Sequence, residues 1–282
     1  MTKLIALVDG STYSESVCDY AAWLASRSGG SVTVAHVLGH RQGVKTDLSG
    51  NIGLGARSAL LDELAELDAA KAKLAQKRGR AILDDAKARI GKDGVAQVET
   101  RLRNGDLVET LHELEADADM VVIGKRGEAA DFAKLHLGSN LERVVRASRK
   151  PTLVCSRAFQ PIETVMVAFD GGAASLKAVD YISRDKSFAG LKILLLAVGA
   201  ESTEMRRGAE GAAALLRGGG YEVEIDIIAG EAELVIPEQI KAGRAEFVVM
   251  GAYRHSRIRN LFLGSTTTEV IRESQVPLLL FR

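Results

Sequence analysis

The chain has 282 residues, of which 46% are hydrophobic and 26% charged, enough apolar material for two packed domains of ordinary size. Its 37 basic residues balance its 37 acidic ones. A formal charge of zero argues against a general nucleic-acid-binding protein and against an anionic membrane surface as the main partner. No apolar run is long enough for a membrane span or a signal peptide, so we expect a cytoplasmic protein.

Continuous runs of Val, Ile and Leu alternate with helical patterns along the chain, which predicts parallel strands covered by helices on both faces. In the first half we predict strands at 3–8, 31–38, 95–102, 119–124 and 151–156, and helices at 12–28, 58–90, 107–117 and 138–148. In the second half we predict strands at 163–169, 191–198, 221–228, 246–251 and 277–281, and helices at 173–184, 202–217, 231–243 and 264–274.

The two halves are copies of one unit. Leu4–Gly10 matches Val165–Gly171 at an offset of 161, and Ala118–Gly124 matches Ala245–Gly251 at an offset of 127. The matched segments recur in the same order at two offsets, so they indicate a tandem duplication with extra residues in the first copy. We therefore expect one domain over residues 1–157 and a second over residues 163–282.

The first copy carries an insertion around residues 39–90. The segment from Val37 to Gly105 spans 68 residues, against 32 from Val198 to Gly230, so the insertion adds about 36. It begins as a Gly-rich loop and continues as a helix with leucines at helical spacing, namely Leu60, Leu64, Leu67 and Leu74. We predict a long helix lying on the sheet; the alternative is a lid or a partner-binding element.

Residues suited to binding a phosphate follow the strands of both halves, where open parallel sheets bind ligands. The first strands end at Asp9 and Asp170, and each fourth strand leads through glycines to a Gly-Ser pair that opens a helix. Glycines and helix N-termini present main-chain N–H groups to an anion, and Lys125 and Arg126 add cations nearby. Each feature also has a plain alternative, because Asp-Gly forms turns and Gly-Ser begins ordinary helices.

This pattern resembles the universal stress protein family over essentially the whole chain, in two copies. The family has a first strand ending in Asp, then Gly-x-x-Gly, nine residues and Gly-Ser/Thr after the fourth strand, and a last strand beginning near Pro. Two departures stand out. Ten residues separate Gly127 from Gly138, and Arg254 replaces the second glycine of the other loop. The Arg254 side chain could clash with a phosphate or clamp it.

The resemblance implies two tandem Rossmann-like (adenine nucleotide alpha hydrolase-like) α/β domains, each an open five-stranded parallel sheet in the order 3-2-1-4-5 with helices on both faces. It implies ATP or AMP, with or without Mg²⁺, as the ligand. The aspartates would hold the adenine, the valines would lie beside it, and the remaining residues would contact the phosphates. The implied site residues are Asp9, Val37, Gly124, Gly127, Gly138 and Ser139 in the first half, and Asp170, Val198, Gly251, Arg254, Gly264, Ser265 and Thr266 in the second.

Last strands commonly form dimers in this family, so Pro151–Ser156 and Pro277–Arg282 could pair the two halves into an intramolecular pseudo-dimer, and a homodimer of chains stays open. The implied function is a stress-response or signalling protein that binds an adenine nucleotide. It is not expected to be a fast enzyme, since the sequence shows no evident general base or metal triad. The alternatives are an interaction module with degenerate sites and a slow ATP hydrolase or autophosphorylating protein.

Overall fold

The computed structural model describes residues 1–39, 54–127, 138–252 and 264–282. The strands are β1 (Lys3–Leu7), β2 (Ser31–Leu38), β3 (Val98–Asn104), β4 (Met120–Gly124), β5 (Thr152–Cys155), β6 (Thr164–Ala168), β7 (Lys192–Val198), β8 (Glu222–Ile228), β9 (Phe247–Gly251) and β10 (Leu278–Phe281). The helices are α1 (Thr12–Ser28), α2 (Leu54–Lys92), α3 (Leu107–Glu115), α4 (Ser139–Ala147), α5 (Ala173–Arg184), α6 (Thr203–Gly218), α7 (Ala232–Lys241) and α8 (Ser265–Glu273), with a short 3₁₀ helix at Lys186–Phe188.

The predicted elements occur in the predicted order, and the differences lie at their ends. Strand β3 begins at Val98 and not at residue 95, because α2 runs to Lys92 and a turn follows in which Gly94 has a φ of +84°. That left-handed conformation suits glycine, which has no Cβ to clash with the backbone. The 3₁₀ helix was not predicted; the Asp185 side chain accepts a hydrogen bond from the Ser187 N–H at its start.

The ten strands form one sheet in the order β3-β2-β1-β4-β5-β10-β9-β6-β7-β8. Within each half the order is 3-2-1-4-5 and the neighbouring strands are parallel, as expected. The halves meet where β5 and β10 pair antiparallel, with Leu153 opposite Leu279. The expected pairing of the last strands is therefore present, and it joins the two sheets into one.

The hydrophobic core lies on both faces of this sheet. Alternate residues of β1 enter different layers: Leu4 packs in one and Ile5 in the other, and both are 1% exposed. Each layer contains residues from both halves. Trp23 of α1 packs against Phe188 and Phe247 of the second half, at centroid distances of 6.2 and 6.1 Å. The two copies therefore share their core, and Trp23 is a packing residue.

The inserted helix α2 only partly fulfils the expectation that it lies on the sheet. Its last turns are packed there, with Leu83, Ala86 and Ile90 buried. Near this end, Arg89 donates to both carboxylate oxygens of Asp19 in α1, at 2.6 and 2.9 Å. Every residue from 61 to 74, by contrast, is exposed to solvent. Leucines at helical spacing therefore do not show that a helix packs on the sheet, because here they lie in a segment of α2 that the sheet does not cover.

Both cysteines are buried free thiols, Cys18 in α1 and Cys155 in β5. Burial raises the pKa of Cys18 to about 12 and that of Cys155 well above its ordinary value. Because the thiolate is the reactive form, we expect neither thiol to react with an aromatic disulfide reagent in native protein at pH 8, and both to react in denaturant. Rapid labelling of either thiol in the native protein would contradict this packing.

The part of the chain that the structure describes contains neither a helix suited to a membrane nor a cluster of metal ligands. No helix there is long and apolar enough to cross a membrane. In the same ranges, no group of three or more His, Cys, Asp or Glu side chains is placed to hold a metal ion.

Candidate functional site

The aspartates that follow the first strands are held by the same contacts in both halves. A main-chain N–H two residues further on donates to Oδ1, at 3.0 Å for Asp9 and 2.9 Å for Asp170. The hydroxyls of Ser14 and Ser175 donate to the same oxygens, at 3.2 and 2.7 Å. Each carboxylate therefore stabilises the turn that leads into its helix, which is the plain alternative given for these aspartates. The contacts described involve Oδ1. Ser14 and Ser175 were not predicted as site residues, although their separation of 161 residues matches that of the two aspartates.

Val37 and Val198 lie at the carboxyl ends of β2 and β7, next to the strands that the aspartates follow. The pairing continues one residue beyond β1, where the Val8 N–H donates to the Ala35 carbonyl at 3.0 Å; the equivalent bond in the second half is 2.8 Å. Both valines are half-buried. Each half therefore has a carboxylate and an apolar side chain at the same edge of the sheet.

Three of the glycines at this edge are explained by close packing. An added methyl group would crowd a neighbour at Gly124 (Tyr13 Cβ, 2.7 Å), Gly127 (Asp9 Oδ2, 2.6 Å) and Gly251 (Ala174 Cβ, 3.0 Å). Contacts below 3.0 Å, as at Gly124 and Gly127, require a neighbour to move, although at Gly127 that neighbour is the end of a side chain; the 3.0 Å contact at Gly251 is tighter than most. Gly127 also brings the loop after β4 against the Asp9 carboxylate, as the predicted site requires.

Gly138 and Gly264 have no such explanation. Their φ angles, −61° and −56°, are open to any residue. Among the described residues, an added methyl group would meet its nearest atoms at 3.5 Å for Gly138 and 3.7 Å for Gly264, which are ordinary contacts. Both glycines are N-caps, of α4 and α8, where glycine is tolerated but serine, threonine and aspartate also cap well.

The two serines beside these glycines do not cap the helices. Ser139 and Ser265 are the first helical residues, and neither N-cap contributes a side-chain hydrogen bond. Both serines are exposed. A hydroxyl and the main-chain N–H groups of a helix N-terminus thus lie together at each position, which is the arrangement that binds anions.

The two helix starts differ in the charge around them. In the second half, Thr266 donates to the Glu233 carboxylate at 3.0 Å, so a negative charge lies next to the predicted phosphate position. In the first half, Arg143 of α4 forms an ion pair with Asp106. The hydrogen bond from Arg143 is the largest cause of a lowered pKa at Asp106. Asp106 near the first helix start is thus paired with a cation, although Glu142 also lies in the first turn of α4, whereas Glu233 contacts Thr266 directly at the second helix start.

Lys125 was expected to lie near the phosphates, but it makes a different contact. It is 9% exposed, and its Nζ donates to the carbonyls of Arg272 and Ser274 at 2.6 and 3.0 Å. These carbonyls lie at the C-terminal end of α8, where a cation complements the helix dipole. Lys125 thus links the glycine loop of the first half to a helix of the second.

Burial, followed by repulsion from Arg126, lowers the pKa of Lys125 to about 8 from its ordinary 10.5. Between these values the unfolded chain keeps a proton that the folded chain has lost, so folding becomes more favourable as the pH rises. We expect wild type to gain up to about 3 kcal/mol of unfolding free energy over Lys125→Met between pH 8 and 10.5. Urea unfolding of both proteins across this range tests it, and parallel pH profiles would contradict it.

Arg254 lies in residues 253–263, outside the described part of the chain, as do residues 40–53 and 128–137. The prediction for Arg254 therefore stays a prediction.

A cavity of about 690 Å³ opens at a different place, the amino end of the first-half strands, where α5 of the second half approaches. Its lining includes Thr2, Asp119, Pro151, Tyr181 and Arg282. The predicted site lies at the opposite, carboxyl edge of the sheet, where the glycines and the two aspartates are, so the cavity is not part of it. Most of the basic side chains around the cavity are exposed, so it is an open surface hollow.

Comparisons with known proteins agree on one family. The sequence profile of the universal stress protein family matches residues 1–156 and 189–282. Universal stress protein Slr1230 from Synechocystis sp. (strain ATCC 27184 / PCC 6803 / Kazusa) is 36% identical over 287 aligned residues, which cover all of both chains.

Solved structures show the same fold over nearly the whole chain. A universal stress protein from Archaeoglobus fulgidus DSM 4304 superposes with a TM-score of 0.70 at 22% identity, covering 99% of this chain and 95% of that one. A protein of unknown function from Pseudomonas aeruginosa PAO1 superposes with a TM-score of 0.64 at 15% identity, covering 99% and 92%. From the two profile matches and the full-length relative, this chain belongs to the universal stress protein family, with two copies of the family's domain in tandem.

Proposed function

We propose that the chain binds an adenine nucleotide, ATP or AMP, at the carboxyl edge of its sheet and acts as a stress-response protein through the conformations or partners that the nucleotide selects. The observation that supports this most is the glycine at positions 138 and 264. Neither backbone strain nor packing against the described residues requires glycine there. Close approach of a phosphate to the main chain does require it.

In this proposal each group has one task. The N–H groups at the start of α4, with the exposed Ser139 hydroxyl, donate to phosphate oxygens. The Asp9 carboxylate, which approaches the loop at Gly127, accepts from the exocyclic amino group of adenine. Guanine presents a carbonyl oxygen at that position, which a carboxylate repels. The half-buried Val37 covers an apolar face of the base or sugar.

The two halves are proposed to bind unequally. Glu233 places a negative charge beside the second helix start, whereas Arg143 compensates Asp106 near the first. We therefore propose that the first half binds tightly, and that the second is weak or serves as an interaction module with a degenerate site. The domain boundaries near residues 157 and 163 separate these two functions along the chain.

Equilibrium dialysis of the full chain with labelled ATP tests the proposal. We expect saturable binding that approaches one tight equivalent per chain, displaced by unlabelled ATP or AMP and far less by GTP. Absence of saturable binding by both ATP and AMP would overturn it and favour the interaction-module alternative. Equal displacement by GTP would overturn the role given to Asp9.

A further inference from the structure

We call residues 60–78, the largely exposed part of α2, the arm. It carries four of the large apolar side chains that the described fold leaves in solvent: Leu61, Leu64, Leu67 and Leu74, which are 52%, 37%, 50% and 68% exposed. Single exposed leucines are normal, but a row of them on one element is a feature of surfaces that bind another protein.

Three of these leucines, Leu64, Leu67 and Leu74, lie on one face with the half-buried Leu60, whereas Leu61 lies about 100° from Leu60, on the side of the packed face. At about 100° per residue, Leu60, Leu64, Leu67 and Leu74 fall within about 80° of one another on a helical projection. The residues with which the same helix packs on the fold, Leu83, Ala86 and Ile90, centre roughly 120° away on that projection. The leucine stripe is therefore not an extension of the packed face, and the sheet under α2 is not its partner.

The base of the arm is fixed. A methyl group at Gly79 would lie 2.7 Å from Leu102 Cδ1, so the helix approaches the sheet closely there. Arg89 binds Asp19 through both carboxylate oxygens and also donates to Glu15 at 2.9 Å. A rigid mounting means that little conformational entropy is lost when the arm binds a partner.

The charges of the arm are separated along its length. The half nearer its N-terminus is acidic, with Asp62, Glu63, Glu66 and Asp68, and the half nearer its C-terminus is basic, with Lys71, Lys73, Lys77 and Arg78. Two copies placed side by side in parallel would set like charges against each other. Two copies placed antiparallel would set each acidic half against a basic half.

From these observations we propose that the arm is a self-association surface, on which two copies of this chain pair their leucine stripes antiparallel in a two-helix coiled coil. The arrangement is isologous, because the same surface serves both copies. Placing Leu64 of one copy opposite Leu74 of the other centres the pair near residue 69. Lys71 interrupts the stripe, but its aliphatic stem can cover the leucines while its ammonium group stays near Asp68, 3.7 Å away.

Sedimentation equilibrium of the full chain tests the surface. We expect a dimer for wild type, a monomer for Leu64→Lys/Leu67→Lys, and a dimer for the control Leu234→Lys, since Leu234 on α7 is 62% exposed and lies away from the arm. At a protein concentration where wild type is monomeric, thermal unfolding should be the same for wild type and for the arm substitutions, because these replace side chains that are exposed in the single chain. A monomeric wild type, or a dimer that survives the double substitution, would overturn the proposal.

Disulfide trapping tests the orientation. Leu64→Cys chains mixed with Leu74→Cys chains should cross-link on mild oxidation, whereas each variant alone should not, and the natural thiols are buried. Efficient cross-linking of Leu64→Cys with itself would show a parallel pair and overturn the antiparallel arrangement. Reversing the four acidic charges to lysine should also abolish the wild-type dimer; a dimer that survives that change would contradict the role of charge.

Discussion

Alanine at Gly138 is expected to weaken ATP binding about tenfold or more while the protein remains folded. The backbone at this position accepts alanine, and among the described residues the added methyl group would meet only ordinary contacts, the nearest at 3.5 Å. It would, however, project where the proposed phosphate approaches the main chain. As an N-cap substitution it should lower the unfolding free energy by at most about 1 kcal/mol. Dialysis with labelled ATP and urea unfolding measure the two effects separately.

Two further substitutions make this result specific. Gly211→Ala lies within α6, where an added methyl group meets no described atom within 4 Å, so it should leave ATP binding unchanged and raise the unfolding free energy by up to about 1 kcal/mol, because alanine favours a helix interior. Gly264→Ala is the equivalent change in the second half, and it should leave the tight equivalent of ATP unaffected. If Gly138→Ala binds ATP as wild type does, the glycine is only a helix cap and the proposed phosphate position is wrong.

Leu279→Ala is expected to lower the unfolding free energy of the whole chain by about 2–5 kcal/mol. Leu279 is fully buried and lies opposite Leu153 where β10 joins β5. Because both core layers run through the two halves, we expect them to unfold in one cooperative transition, before and after the substitution.

Urea denaturation followed by circular dichroism and by Trp23 fluorescence would show whether the two halves unfold together. The exposed control Leu234→Ala should change the unfolding free energy by no more than about 0.5 kcal/mol. Two separated transitions in wild type would contradict the shared core.

Most strands could be predicted from the sequence because a strand that is buried on both faces is apolar throughout. For β5 and β10, the same apolar pattern does not indicate whether the strand ends a sheet or has a neighbour on each side. Both β5 and β10 are completely buried, like central strands, because each covers the other. The family resemblance suggested their pairing, which the apolar pattern of β5 and β10 did not; the strands that do lie at the edges of the sheet, β3 and β8, carry exposed charged residues instead.

The candidate site could be predicted only to the level of residue type and strand end. Asp9 and Asp170 follow β1 and β6 as expected, but the sequence does not show that Tyr13 crowds Gly124, whereas packing against the described residues leaves room for a methyl group at Gly138. Lys125 was misjudged because its partners, the carbonyls at the end of α8, are some 150 residues away in sequence. Contacts with residues distant in sequence also decide which turns of α2 pack on the sheet, so the leucine spacing predicted the helix but not its buried turns.

A crystal structure of the full chain grown with ATP would show whether a nucleotide binds at the carboxyl edge of this sheet with its phosphates at a helix N-terminus. We expect phosphate density at the start of α4, within hydrogen-bonding distance of the Ser139 hydroxyl, and a purine beside Asp9 and Val37. Nucleotide density confined to the hollow near Thr2 and Tyr181, with the start of α4 in contact with protein atoms alone, would contradict it.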